Sequence, residues 1–252
     1  MSFDDDTYYE GQWKAGLKEG PGKMVYYNFD EYNGMWKDDM IEGNGTFADT
    51  KANGFKLKGE MVNEVPDGNG AVEFSNGDKF IGKFVNGLRT GHGKYTWKNG
   101  DQYIGEYIED RLEGRGVKRF ANGDIYEGNF TNERRNGRGV QRFKDGTRYE
   151  GYFNMGKMEG KGVQYLANGT YDGQFVSGLR EGPGVYTFAD GNKYNGEWKN
   201  GLKKGFGIFH YVTGERFEGN FDDGKRNGNG IKFNTNNEVI QQGAWKDDKF
   251  IS

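Results

Sequence analysis

From Ile125 to Thr131 the side chains alternate in character. Tyr126, Gly128 and Phe130 are aromatic or bare, and Glu127, Asn129 and Thr131 between them are polar. A period of two marks a β-strand with one face turned to a core. The next stretch alternates in step, with Gly137, Gly139, Gln141 and Phe143 on one face. Pairing the two strands lays a wide ring over the bare backbone of a glycine opposite, which accounts for glycine inside strands that it would otherwise weaken. Asn-Gly and Asp-Gly steps such as Asn122-Gly123 and Asp145-Gly146 signal hairpin turns. Parity decides their length. A two-residue turn at Asp145-Gly146 would put Tyr149 on the opposite face from Phe143, whereas a three-residue loop, Lys144-Asp145-Gly146 with the glycine left-handed, pairs Phe143 with Thr147 and keeps the rings together. An even-length loop near Asn132 to Asn136 then keeps every aromatic on one face.

The same pattern returns every 23 residues. Tyr9-Glu10-Gly11-Gln12-Trp13 recurs as Tyr32-Asn33-Gly34-Met35-Trp36, Tyr103-Ile104-Gly105-Glu106-Tyr107, Tyr149-Glu150-Gly151-Tyr152-Phe153 and Tyr194-Asn195-Gly196-Glu197-Trp198. Each central glycine is followed nine residues later by a Gly-x-Gly pair, as in Gly20 and Gly22 or Gly160 and Gly162. A weaker copy has Leu57 and Met61 at the ring positions, and a fragment closes the chain at Gly243 and Trp245, making ten repeats and a part. Such a pattern, Y-x-G-x-W and then G-x-x-x-G-x-G, resembles the MORN (membrane occupation and recognition nexus) repeat over Tyr9 to Trp245. The resemblance implies an interaction scaffold, often in cytoskeletal or ciliary assemblies, and in some members a lipid-associated module.

The expected fold is all-β: a single-layer antiparallel meander of about 21 strands, built from ten 23-residue hairpin repeats into an elongated, twisted ribbon. Residues 1–8 read as an acidic tail, 9–245 as one continuous array and 246–252 as a C-terminal tail. Two extra residues before Leu57 and one missing between Gly169 and Tyr171 read as register defects that should kink the ribbon.

Composition narrows the function. Leu, Ile, Val and Phe together make up about 19% of the 252 residues, a share usually linked to disorder, but 16% of the chain is aromatic and the net charge is only −3. The core is therefore aromatic. Without cysteine there is no disulfide or thiolate metal site, and His92 and His210 stand about five repeats apart, which argues against a histidine-based dyad or metal cluster. The Gly-x-Gly pairs lack the continuation of a phosphate loop and read as strand glycines. No enzyme, cofactor or metal is expected. Nor is nucleic acid, because 35 basic residues are balanced by 38 acidic ones. The acidic N-terminus and the lack of any apolar run of spanning length point to a cytoplasmic protein, cytoskeleton- or cilium-associated if the resemblance holds.

Two surfaces remain as candidates. One is the aromatic face, at Tyr103, Tyr107, Tyr126, Phe130, Phe143, Tyr149 and Phe153, expected to stay partly open as a groove for a helix or an extended peptide of another protein. The other is a basic edge, Lys18, Arg89, Arg111, Arg134, Arg135, Lys157, Arg180, Lys203, Lys225 and Arg226, spaced to meet anionic phospholipid such as phosphoinositides, or an acidic partner. Opposite it run Asp30, Glu31, Asp78, Asp101, Asp124, Asp145 and Asp190, read as turn chemistry. A homodimer through an array end is a further expectation.

Overall fold

The computed structural model describes residues 7–51 and 54–252. Most of the acidic N-terminal segment, residues 1–6, lies outside the described residues. Among these there are 22 strands and no helix, from β1 (Tyr8–Lys14) to β22 (Lys249–Phe250). The chain divides into two compact units, Met1–Gly123 with Phe130–Glu133, and Asp124–Asn129 with Arg134–Ser252. Inside each, successive strands pair antiparallel, so the all-β meander expected from the repeats is the fold.

One repeat of the second unit shows how the sequence builds it. β12 (Arg134–Arg142) meets β13 (Arg148–Asn154) with Gly139 opposite Gly151 and Gln141 opposite Tyr149. Phe143 N–H donates to Thr147 O at 2.8 Å and Gly146 N–H to Phe143 O at 3.0 Å, closing the three-residue loop with Gly146 at φ 88°. β13 then turns into β14 (Lys157–Leu166) through Met155-Gly156, both with positive φ, so the even loop is only two residues long. The remaining residues form a bulge: Gly151 pairs with Gly162 but Phe153 with Met158. Two extra residues on β14 preserve the parity and keep the rings on one face.

The bulge separates the two glycines of each pair, which the sequence reading had treated alike. Gly160, at φ 68°, sits in the bulge with open space where a side chain would go. Gly162 lies flat under the Tyr149 ring, where an added Cβ would meet Cε2 at 2.4 Å.

Three further expectations are corrected. The insertion before Leu57 leaves the register unbroken, because Gly45 still faces Gly59 and the added residues stay in the loop after Ala48. The deletion near Gly169 only shortens a loop to Ala167-Asn168, and Gly162 still faces Gly173. The C-terminal residues are not a bare tail: Asp247-Asp248 forms a two-residue turn and Lys249–Phe250 adds β22 opposite Trp245.

Candidate interaction surface

The core is a zigzag of rings. In the second unit Tyr149 stands edge-on to Phe153 in its own repeat (5.2 Å, 88°) and to Phe175 in the next (5.0 Å, 80°), and Tyr171 continues to Phe175 and Trp198. The first unit repeats this, with Tyr103 between Tyr107 and Phe130. Each tyrosine at the first ring position bends its hydroxyl back to a backbone oxygen three residues on, Tyr149 Oη donating to Tyr152 O at 3.0 Å, whereas the buried hydroxyl of Tyr107, at the second position, has no such partner among the described residues. Burial pushes the hydroxyls of Tyr126, Tyr149 and Tyr171 up to about 12.

This zigzag closes the surface expected to lie open. Tyr103, Tyr107, Tyr126, Phe130, Tyr149 and Phe153 are at most 3% exposed. A ring seated on glycine and flanked by two edge-on rings has no face left for a partner. Of the seven aromatics picked from sequence only Phe143 is half-buried.

Phe143 belongs to a second column beside the three-residue loops, which the sequence reading otherwise missed. In the first unit it contains Phe74, Tyr95, Trp97 and Phe120, all half-buried, and in the second Phe188, Phe209 and Tyr211. These rings tilt rather than stand edge-on, at 30° for Phe74 and Tyr95 and 47° for Phe188 and Phe209. The signal was present in the pattern, since each lies on the ring face of a second strand, but only Phe143 was carried forward.

The basic edge also splits in two. Lys18, Arg89, Arg135, Arg180, Lys203 and Arg226 fold inward over the rings. Arg180, for example, lies 5.0 Å from the Tyr171 ring centroid and 5.3 Å from Trp198. Only Arg111, Arg134, Lys157 and Lys225 are exposed. Arg111 pairs with Glu109 at 3.6 Å and Lys225 with Asp247 at 3.4 Å. The cause is the hairpin: the first residue of each second strand points away from the rings, and the second faces the ring across the turn, as Arg180 faces Phe175.

Inward cations follow the turn of the next repeat. Where that turn carries Asp, its carboxylate takes the cation and the neighbouring backbone together, Arg89 Nε donating to Asp110 Oδ1 at 2.7 Å and Arg89 N–H at 3.0 Å. Lys18 with Asp39 and Arg226 with Asp248 match it. Where the turn carries glycine there is no carboxylate to take the cation: Arg135 donates to Gln141 Oε1 at 2.6 Å and to the carbonyl oxygen of the turn glycine Gly156, and Arg180 donates to Gln164 Oε1 at 2.9 Å. Lys203, among the described residues, sits over Phe188, Phe209, Tyr194 and Phe221 with no ion pair, and burial lowers its ammonium below the usual value.

The acidic row is structural. Asp78 accepts Lys98 N–H at 2.8 Å and the Tyr95 hydroxyl at 2.8 Å, while Asp101 accepts Ala121 N–H and Asp124 accepts Lys144 N–H. Each thus ties one loop to the next. On the opposite face of the first unit, a shallow concavity of about 500 Å³ lies over Thr46, Lys58, Ala71 and Ile81. Its lining holds no histidine, and no group of three or more metal-ligating side chains occurs among the described residues.

With two hairpin strands per repeat, a ring on paired glycines and a bulge glycine all in place, comparison with known families is decisive. The MORN repeat model matches residues 9–31, 32–51, 80–102, 103–125, 126–148, 149–170, 171–193, 194–216 and 217–237. The chain belongs to the MORN repeat family. The repeat it passes over is the one with Leu57 and Met61 at the ring positions. No curated protein matches the chain. Among solved structures, the chain is similar to the TCP domain of Drosophila melanogaster SAS-4 (dCPAP) in complex with a proline-rich motif of Ana2, at 16% identity and TM-score 0.40, covering 62% of this chain and 85% of that one. It is also similar to the G-box domain of the microcephaly protein CPAP, at 12% identity and TM-score 0.38, covering 79% and 97%. Both scores are too low to carry function across.

Proposed function

We propose that this MORN protein is a non-enzymatic scaffold whose partner surface is the half-open ring column, in a cytoskeletal or ciliary setting as the family resemblance implies. The observation that carries this reading is the contrast on one face: the zigzag rings are closed, and the rings beside them are not. In the first unit Lys118 lies 4.4 Å from the Trp97 ring centroid and 5.2 Å from Phe120, so rings and a cation are presented together. In the second, Lys203 supplies an unpaired ammonium beside Phe188 and Phe209. A helix or extended peptide with apolar side chains for the rings and carboxylates for the lysines fits both.

The alternative, phosphoinositide binding through a basic edge, loses six of its ten residues to the core. Affinity purification from the source cell with wild type, Trp97→Ala with Phe120→Ala, and Arg134→Gln with Lys157→Gln separates the two. Loss of the same protein partner in the ring variant alone supports the scaffold. Tight binding to phosphoinositide vesicles at physiological salt, lost only in the charge variant, would overturn it.

A further inference from the structure

The outward side chains beside the two-residue turns differ between the units. In the first, β5 (Phe55–Val62) turns into β6 (Val65–Phe74) with Val62 opposite Val65, and β7 (Lys79–Val85) into β8 (Leu88–Thr96) with Val85 opposite Leu88. β9 (Gln102–Ile108) turns into β10 (Arg111–Arg119) with Ile108 opposite Arg111. Alternation puts these residues on the face away from the rings, since the residues before Val62, Val85 and Ile108 are the buried Met61, Phe84 and Tyr107. Gly87 N–H donates to Pro66 O at 2.8 Å and Asp110 N–H to Arg89 O at 3.0 Å, so the three hairpins stand side by side and their aliphatic residues form one stripe. Val62, Val65, Leu88 and Ile108 are 40% to 52% exposed. In the second unit the same positions hold Asn154 with Lys157, Asp222 with Lys225 and Lys246 with Lys249, and Val176 with Leu179 is the one aliphatic pair among the described residues.

Carboxylates rim the stripe. Glu60 and Glu106 stand two residues before Val62 and Ile108, Asp67 and Glu113 two residues after Val65 and Arg111, and Glu64 is in the first turn. Among the described residues no lysine or arginine pairs with any of these; Arg111 is already held by Glu109 at 3.6 Å, and Lys83 is the other cation facing the same way. Beside the stripe the sheet is concave, around a depression of about 680 Å³ lined by Asn44, Glu60, Asn69 and the exposed Ile81.

We infer that this outer face of the first unit binds a basic amphipathic helix of a partner protein, laid across β5 to β9. Charge complementarity selects the occupant: apolar side chains of the helix cover Val62, Val65, Val85, Leu88 and Ile108, and its lysines or arginines answer the unpaired carboxylates, which would repel an acidic segment or an anionic lipid surface. Hydrogen bonding selects the conformation. The stripe crosses strands whose backbone groups are used in the ladders, so an occupant has no free edge to extend and must satisfy its own backbone, as a helix does. From β5 to β9 the stripe crosses four strand spacings, about 19 Å, which a helix rising 1.5 Å per residue covers in about 13 residues. The surface lies on the face opposite the half-open rings and goes beyond the scaffold reading.

Fluorescence anisotropy of a labelled peptide of about 14 leucines and lysines, with leucine at helical i, i+3, i+4 and i+7 spacing, tests this when titrated with the full chain. The peptide binds with a dissociation constant on the order of ten micromolar, and its counterpart with glutamate in place of lysine binds at least about 10-fold more weakly. Val62→Thr with Val85→Thr and Leu88→Thr weakens binding about 10-fold while keeping strand-forming side chains, so the circular dichroism spectrum is unchanged. Glu60→Gln with Glu64→Gln weakens it by a similar factor and flattens its salt dependence. Val176→Thr with Leu179→Thr in the second unit, and Trp97→Ala with Phe120→Ala on the ring column, leave it as in wild type. No binding of the lysine peptide, equal binding of the two peptides, or loss in the ring variant alone overturns the inference. So does sedimentation velocity that shows the wild type self-associating and the Val62, Val85 and Leu88 variant monomeric, because a second copy would then be the occupant.

Discussion

Two columns of rings share one face of this protein and differ in what lies beneath them. In the closed zigzag, centroids are 4.8–5.5 Å apart, planes cross at 72–88°, and each tyrosine at the first ring position seats on two strand glycines. In the second column Phe188 and Phe209 meet at 5.7 Å and Phe74 and Tyr95 at 6.1 Å, tilted, and the sequence interrupts the row with Lys118, Gln141, Gln164 and Lys232. A flat seat lets a ring lie down and accept two edge-on neighbours; without it, rings stay half in solvent. Packing therefore divides the face into a part that is closed and holds the fold and a part that stays half open.

The largest effects should separate the columns. Tyr149→Ala removes a ring wedged between Phe153 and Phe175 and should cost about 3–5 kcal/mol, read as a drop in calorimetric melting temperature. Trp97→Ala, on the half-open column, should cost about 1–2 kcal/mol by the same measurement. Equal losses would erase the distinction. Gly139→Val should follow at about 1–3 kcal/mol, since its Cβ would come within 2.5 Å of the Tyr126 ring. Substituting Gln141→Thr on the same strand should be milder. Asp110→Ala, which removes one clasp on the cation capping the zigzag, should cost about 1 kcal/mol.

The smaller effects depend on pH. The hydroxyls of Tyr126, Tyr149 and Tyr171 are raised to about 12 in the folded chain. Their contribution is thus fully present below pH 10, the ordinary tyrosine value, and is lost as pH climbs through 12. Ionisation followed by absorbance should coincide with unfolding. On the acid side, burial would raise Asp78, but bonds from Lys98 N–H, Tyr95 and Asn76 outweigh it and hold the carboxyl below its usual value. Its contribution is present above the unfolded value and disappears as pH falls through the folded one. Asp78→Asn should flatten that acid limb.

Much of this was legible in the residues. The period of 23, the parity of the Lys144-Asp145-Gly146 loop and the ring-on-glycine packing all follow from alternation and turn chemistry. The bulge at Gly160 was not, because a left-handed glycine and a flat one look alike in sequence. Nor was the burial of Tyr103 or Tyr149. That depends on rings of successive repeats meeting across an intervening strand, and on Arg89, Arg135 or Arg180 folding over them, which residue spacing alone does not reveal. Charge misled for a related reason: Arg134 and Arg135 are neighbours in the chain but point to opposite faces.

The five tryptophans sample these environments, so acrylamide quenching of variants that retain one tryptophan each tests the division most directly. Trp36 and Trp198, 4% and 6% exposed in the zigzag, should be nearly protected, whereas Trp97 in the half-open column should be quenched several-fold faster. Equal quenching of Trp97 and Trp198 would contradict the account, because one face would then hold a single kind of ring.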